Sequence, residues 1–200
     1  MHTSLYFAYG SNLLSTRLVA RCPSARVVGT AMTEGWMVSF TKPGADDSGK
    51  AGLVQRETAC HPGVVYELAT EEMPTLDRFE GLGHGYSRDD DFFVTMLGNG
   101  ETVSTATYMP TRHDPALVPY DWYLALCIAG AREHRFDAAM VDAFHATPFK
   151  PDTVDHRPAR LAGIEALHAA GHISWQKMLS GSGPIGSTSL DDRFEPLTDT

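Results

Sequence analysis

The sequence predicts an α+β fold, a small mixed β-barrel-like sheet with flanking helices. Three observations predict it. Strand-like runs crowd the middle of the chain, whereas helical patterns stand before and after them, unlike the regular alternation of a doubly wound sheet. The 200 residues are 42% hydrophobic, enough for one domain with a substantial core, or one domain with an appendage. No segment repeats another, which excludes a solenoid or propeller.

The elements follow in order. Leu5 to Ala8 is a short apolar run long enough for a buried strand. Tyr9-Gly10-Ser11-Asn12 breaks it, and Leu13, Leu14, Leu18 and Cys22 recur at helical spacing until Pro23. This predicts a strand, a glycine turn and a helix capped by Ser11 or Asn12. Gly10 permits close backbone approach. The free N–H groups of the helix start suit a carboxylate or an oxyanion, although an ordinary capped helix has the same spacing. Val27 to Thr30 and Trp36 to Thr41 read as two strands joined by a turn, and Lys42 to Lys50 as a solvated loop. Leu53 to Val54 and Gly63 to Leu68 add strand. Thr70 is placed to cap a short helix with Glu71 and Glu72 in its first turn. Gly81, Gly83 and Gly85 end that helix in a mobile stretch. Arg88 to Leu97 and Thr102 to Met109 form a hairpin around Gly98-Asn99-Gly100. Pro119 to Ala131 and Asp137 to Ala146 read as helices. Leu161 to Ala170 can form one more, followed by a flexible Gly/Ser-rich run from Gly181 to Ser189 and a polar tail from Asp191 to Thr200.

Composition narrows the function. The formal charge is −9 with Lys and Arg scattered, so no basic stripe for nucleic acid is expected. No window approaches 18 apolar residues, and Met1-His2-Thr3-Ser4 leads directly into the first strand, so neither a membrane span nor a signal peptide is expected. Cys22, Cys60 and Cys127 are three widely spaced thiols, neither a disulfide framework nor a zinc ribbon, and a reducing cytoplasmic setting fits them. Cys60-His61 are adjacent and do not face each other as nucleophile and base would. His168 and His172 are four apart, but Gly171 interrupts the helix and no third ligand is placed, so no metal site is read there. Ser11 lacks the glycine pattern of a nucleophile elbow, and residues 81–85 lack a P-loop lysine.

One carboxylate stands out. Met73, Leu76 and Glu80 share one helix face, which is otherwise apolar and points Glu80 inward. Burial disfavours the charged form, and the negative end of the helix dipole before Gly81 acts in the same direction. Both effects raise the expected pKa toward neutrality, as a general acid/base requires. A half-exposed glutamate at a helix end, held by a lysine or by water, fits the same pattern.

Tyr-Phe-Ala-Tyr-Gly-Ser-Asn-Leu-Leu, residues 6–14, resembles the opening signature of the gamma-glutamylcyclotransferase family. Gly63 to Leu68 resembles that family's central strand, Leu76 to Gly81 its catalytic-glutamate segment, Ala106 to Met109 a later strand, and Tyr123 to Ala131 its late helix. Tyr86 follows a short loop in keeping with the pattern. The segments occur in order over about residues 4 to 150. The resemblance implies a gamma-glutamyl cyclotransferase-like domain at 1–150 with a C-terminal extension at 151–200. It implies cyclisation of a gamma-glutamyl compound to 5-oxoproline with release of an amine or amino acid, with Glu80 as general acid/base. The substrate site would comprise Tyr6, Phe7, Ala8, Tyr9, Gly10, Ser11, Asn12, Tyr108 and Tyr123. No cofactor, metal, nucleic acid or membrane partner is implied, and the chain would act as a monomer or homodimer. Two rival readings remain open: a non-catalytic small-ligand-binding domain on the same fold, and a gamma-glutamyl amidohydrolase in which Glu80 activates water.

Overall fold

A computed structural model of the chain describes residues 2–180. The strands are β1 (Thr3–Ala8), β2 (Arg26–Pro43), β3 (Gly49–Ala69), β4 (Tyr86–Met96) and β5 (Thr102–Pro110). They close into a barrel in the order β1-β3-β2-β4-β5. All pairs are antiparallel except the closing one, where β1 meets β5 in parallel at Tyr6 and Ala106. The expected mixed barrel with flanking helices is therefore present. The helices are α1 (Ser15–Arg21), α2 (Met73–Glu80), α3 (Asp121–Glu133), α4 (Ala138–His145) and α5 (Pro158–Ala169).

Three local expectations are corrected. The turn expected between Val27–Thr30 and Trp36–Thr41 is absent, because β2 runs through as one strand. Gly35, at φ +77°, sits where the register shifts between Glu34 and Trp36, so the glycine serves a bulge. β3 is likewise continuous, and its residues from Gln55 to Thr58 are exposed, so they lack the alternation that marks a half-buried strand. The loop expected over Lys42 to Lys50 shrinks to residues 44–48. Ser48 is fully buried and Lys42 nearly so.

The helix caps also differ. Ser11–Leu13 form a 3-10 turn that leads into α1, and neither helix start has a side-chain cap. Asn12 is engaged elsewhere, and the hydroxyl of Ser11 accepts from Arg17 Nε at 3.2 Å. Thr70 opens a 3-10 turn without capping it, and its hydroxyl bonds Ser4 at 2.9 Å. Gly81, at φ +72°, ends α2 in the left-handed conformation that glycine favours. Turn hydrogen bonds then run through Leu82, Gly83 and His84.

Helix α3 is the centre of the helical layer. Every residue from Trp122 to Ala131 is buried, which explains why that stretch contains no charged side chain. It packs on the 3-10 turn at residues 11–13, on α4, on α5 and on residues 175–179. Pro158 stands in the first turn of α5, where its missing N–H costs nothing. Trp175, Met178 and Leu179 are buried against the rest of the core. The Gly/Ser run and polar tail read from the sequence lie outside the described residues.

Helix α3 approaches the 3-10 turn closely at Gly130. A Cβ there would lie 2.4 Å from Leu13 Cβ and 2.5 Å from the Leu13 and Leu14 backbone. Backbone cannot rotate away as a side chain would. Gly130→Ala should therefore destabilise by about 1–3 kcal/mol, as overpacking does, lowering Tm by roughly 2–12 °C at this chain length. A melting curve superimposable on wild type would show that the helix is free to shift.

Candidate active site

The end of β1 delivers its residues to a small chamber. Tyr6, Tyr9, Gly10, Ser11, Asn12, Tyr108, Tyr123 and Glu80 all border it, together with Ala51 and Tyr86. Phe7 and Ala8, expected among the substrate contacts, do not border it. Side chains alternate along β1, and the Phe7 ring instead stacks on Phe92 at 5.9 Å. Ala8 is fully buried in the core.

Gly10 has φ −121°, so no left-handed conformation demands glycine there. Close approach does: a Cβ would meet Ala51 Cβ at 2.8 Å. The N–H groups of Ser11 and Asn12 open the 3-10 turn and have no partner within it.

The five tyrosines divide by what their hydroxyls do. Tyr9 donates to the Tyr108 carbonyl. Tyr86 donates to the Ala51 carbonyl at 2.5 Å, and Tyr108 to Asp77 Oδ1 at 2.8 Å. Asp77 is itself clamped by Arg88 at 2.7 and 2.8 Å. Those three protons are committed to the fold. Tyr6 only accepts, from Asn12 Nδ2 at 3.0 Å, and Tyr123 only accepts, from the Ala51 N–H at 3.1 Å. Among the described residues, Tyr6 and Tyr123 are thus the chamber hydroxyls with a proton left to give. Burial, reinforced at Tyr6 by Glu80, raises both phenol pKa values above 10, which keeps them protonated as donors.

Glu80 occupies the last position of α2, with Met73 and Leu76 buried on the same face as expected. Its side chain is 17% exposed. Its partners are an arginine and an asparagine, not a lysine. Arg21 Nη1 donates to Glu80 Oε1 at 2.7 Å, and Asn12 Nδ2 donates to the same oxygen at 2.8 Å. Arg21 also donates to Asn12 Oδ1 at 2.9 Å, closing a three-membered network. Together Arg21 and Asn12 fix Oε1 in place. Among the described residues nothing donates to Oε2.

Glu80 also borders a second, open cleft of about 510 Å³. Ser11, Tyr86 and Tyr123 are shared by both spaces, so the chamber and the cleft meet around Glu80. Sequence reasoning missed Arg21, Tyr86 and Ala51 as parts of this region. Arg21 follows Arg17 by four residues on α1, a spacing that places both on one face, but nothing local shows that this face meets the end of α2.

A protein-family model described as gamma-glutamyl cyclotransferase, AIG2-like, matches residues 6–125, a stretch that contains every residue bordering the chamber. The chain is 28% identical over 135 residues to the gamma-glutamylcyclotransferase of Bos taurus, and 29% identical over 135 residues to that of Homo sapiens. Each match spans 65% of this chain and 71% of the relative. A solved gamma-glutamyl cyclotransferase structure superposes with a TM-score of 0.70 at 22% identity, covering 84% of this chain and 99% of that one. At that identity the likeness is one of fold.

Proposed function

The chain belongs to the gamma-glutamyl cyclotransferase, AIG2-like family, and from that premise we propose that it cyclises a gamma-glutamyl compound to 5-oxoproline, with Glu80 as the acid/base group. The observation that carries this reading is the position of Glu80. Its carboxylate is anchored through Oε1 by Arg21 and Asn12, where a small polar chamber meets a larger cleft.

The glutamyl moiety occupies the chamber. Its α-ammonium sits against Glu80, which takes one proton. The freed amine attacks the γ-carbonyl carbon of the same molecule, forming the ring C–N bond. Because the attack is intramolecular, holding the chain folded supplies much of the rate. The γ-oxygen becomes an oxyanion, for which the Ser11 and Asn12 N–H groups and the Tyr6 and Tyr123 hydroxyls are the available donors. Glu80 returns its proton to the departing nitrogen as the old amide C–N bond breaks. The ring nitrogen still carries two hydrogens at that point, and Glu80, again a carboxylate, takes one of them and passes it to the released amine, which departs as an ammonium. Both protons lost by the α-ammonium thus end on the leaving group, so the reaction consumes no water and requires no redox partner.

Three free thiols, two of them buried, suit a reducing compartment, and we place the protein in the cytoplasm. Among the described residues no helix is long and apolar enough to cross a membrane.

Incubation with gamma-glutamyl dipeptides followed by mass spectrometry tests the activity. Release of 5-oxoproline with equimolar amine is the expected result. Release of glutamate would identify an amidohydrolase, and binding without turnover would identify a binding domain.

A further inference from the structure

The open cleft is strongly cationic, although the whole chain carries a formal charge of −9. Arg17, Arg21, Lys42, Lys50 and Arg157 line it, against only two carboxylates, Asp46 and Glu80. Three of the cations are already paired. Arg21 is bound to Glu80, Lys50 to Asp46 at 2.8 Å, and Arg157 to Asp152 at 2.9 Å.

Arg17 and Lys42 have no carboxylate partner among the described residues. Both are buried, with 6% and 7% of their surface exposed. Arg17 donates only to Ser11 Oγ, and its guanidinium lies 6.0 Å from the Trp122 ring centre. Among the described residues Lys42 donates to no protein atom, and its ammonium lies 4.3 Å from the Tyr86 ring centre. Burial lowers the pKa of each, and the nearby carboxylates, Glu80 at both and Asp46 at Lys42, oppose that shift only in part. Cation–π contact offsets only part of that cost. Buried charges in proteins are normally paired, because an unpaired one forfeits its hydration.

We propose that the cleft is a leaving-group subsite for a dicarboxylic amino acid, with Arg17 and Lys42 each receiving one carboxylate. The proposal rests on the reading that the chamber holds the glutamyl moiety. With the glutamyl moiety in the chamber, the departing group extends past Glu80 into this cleft. The two unpaired cations are held over different rings, on α1 and on the end of β2, so they offer two points of charge rather than one. A leaving group with a carboxylate at each end of a short chain matches that arrangement better than one compact anion.

Gamma-glutamyl-glutamate and gamma-glutamyl-glutamine differ by one charge and almost nothing in shape. Wild-type kcat/KM for 5-oxoproline release should favour the glutamate compound by roughly tenfold or more, the scale of one charged hydrogen bond. Lys42→Met keeps the aliphatic stem over Tyr86 and should bring the ratio close to one, whereas Lys42→Arg should restore it. Equal kcat/KM for the two compounds in wild type would overturn the subsite while leaving cyclisation standing. Dissociation constants measured with Glu80→Gln protein provide a readout independent of chemistry. If neither compound is cyclised, tighter and Lys42-dependent binding of the glutamate compound still supports the subsite, and equal binding overturns it.

Discussion

Glu80→Gln should reduce 5-oxoproline release by roughly 100- to 10,000-fold, the range seen when one acid/base group is removed. Glutamine matches glutamate in size, and its oxygen can still accept from Arg21 and Asn12, which now donate at 2.7 and 2.8 Å. It cannot take the proton from the substrate ammonium or return one to the leaving nitrogen. The fold should survive. A hydrogen bond to a charged group contributes about 1.5–3 kcal/mol, and the amide retains part of that. Thermal melting should therefore shift by less than about 10 °C at this chain length. Rate and melting are to be measured on the same preparation. A variant retaining more than about a tenth of wild-type turnover would remove Glu80 from the proton transfer. A variant that is inactive because it is unfolded would be recognised by its melting curve.

Acetylating the α-amine of a gamma-glutamyl substrate should abolish turnover. In the cyclisation route this amine is the nucleophile. As an acetamide it is no longer basic, offers no ammonium to the Glu80 carboxylate, and attacks carbonyls poorly. The loss should be on the order of 10⁵-fold, the low end of what a well-held intramolecular nucleophile contributes. Mass spectrometry of the reaction mixture decides the matter. Release of N-acetylglutamate at a rate comparable to the free-amine substrate would show that water is the nucleophile, and Glu80 would then activate water instead. The two experiments address different parts of the mechanism, because the first tests the group that moves the proton and the second tests the identity of the attacking atom.

The elements that could be read from the sequence are those with a strong local cause. β1 is apolar and is ended by a glycine turn. The hairpin between β4 and β5 is marked by Gly98-Asn99-Gly100. Helix α3 is apolar on every side and has to be enclosed. The Met73, Leu76 and Glu80 face was legible for the same reason, since helical period alone puts three residues on one side. The errors fall where one local signal has two structural outcomes. Gly35 punctuates the chain equally well as a turn or as a bulge, and only pairing with β3 selects the bulge. Lys42 and Ser48 look like loop residues, yet tertiary packing buries both, Lys42 under the Tyr86 ring.

The sequence by itself determined the barrel class, the glycine turn after β1 and the inward direction of Glu80, because period, turn chemistry and apolar content act over a few residues. Tertiary structure alone decided what Glu80 touches. Arg21 and Asn12 are 59 and 68 residues away from it in the chain, and no local rule couples such distant side chains. It also decided which tyrosine hydroxyls remain free, since Tyr9, Tyr86 and Tyr108 give their protons to partners on other strands or on α2. The two unpaired cations of the cleft emerge in the same way. A net charge of −9 conceals them, because charge sums over the chain while a ligand meets only the groups that folding gathers around one cleft.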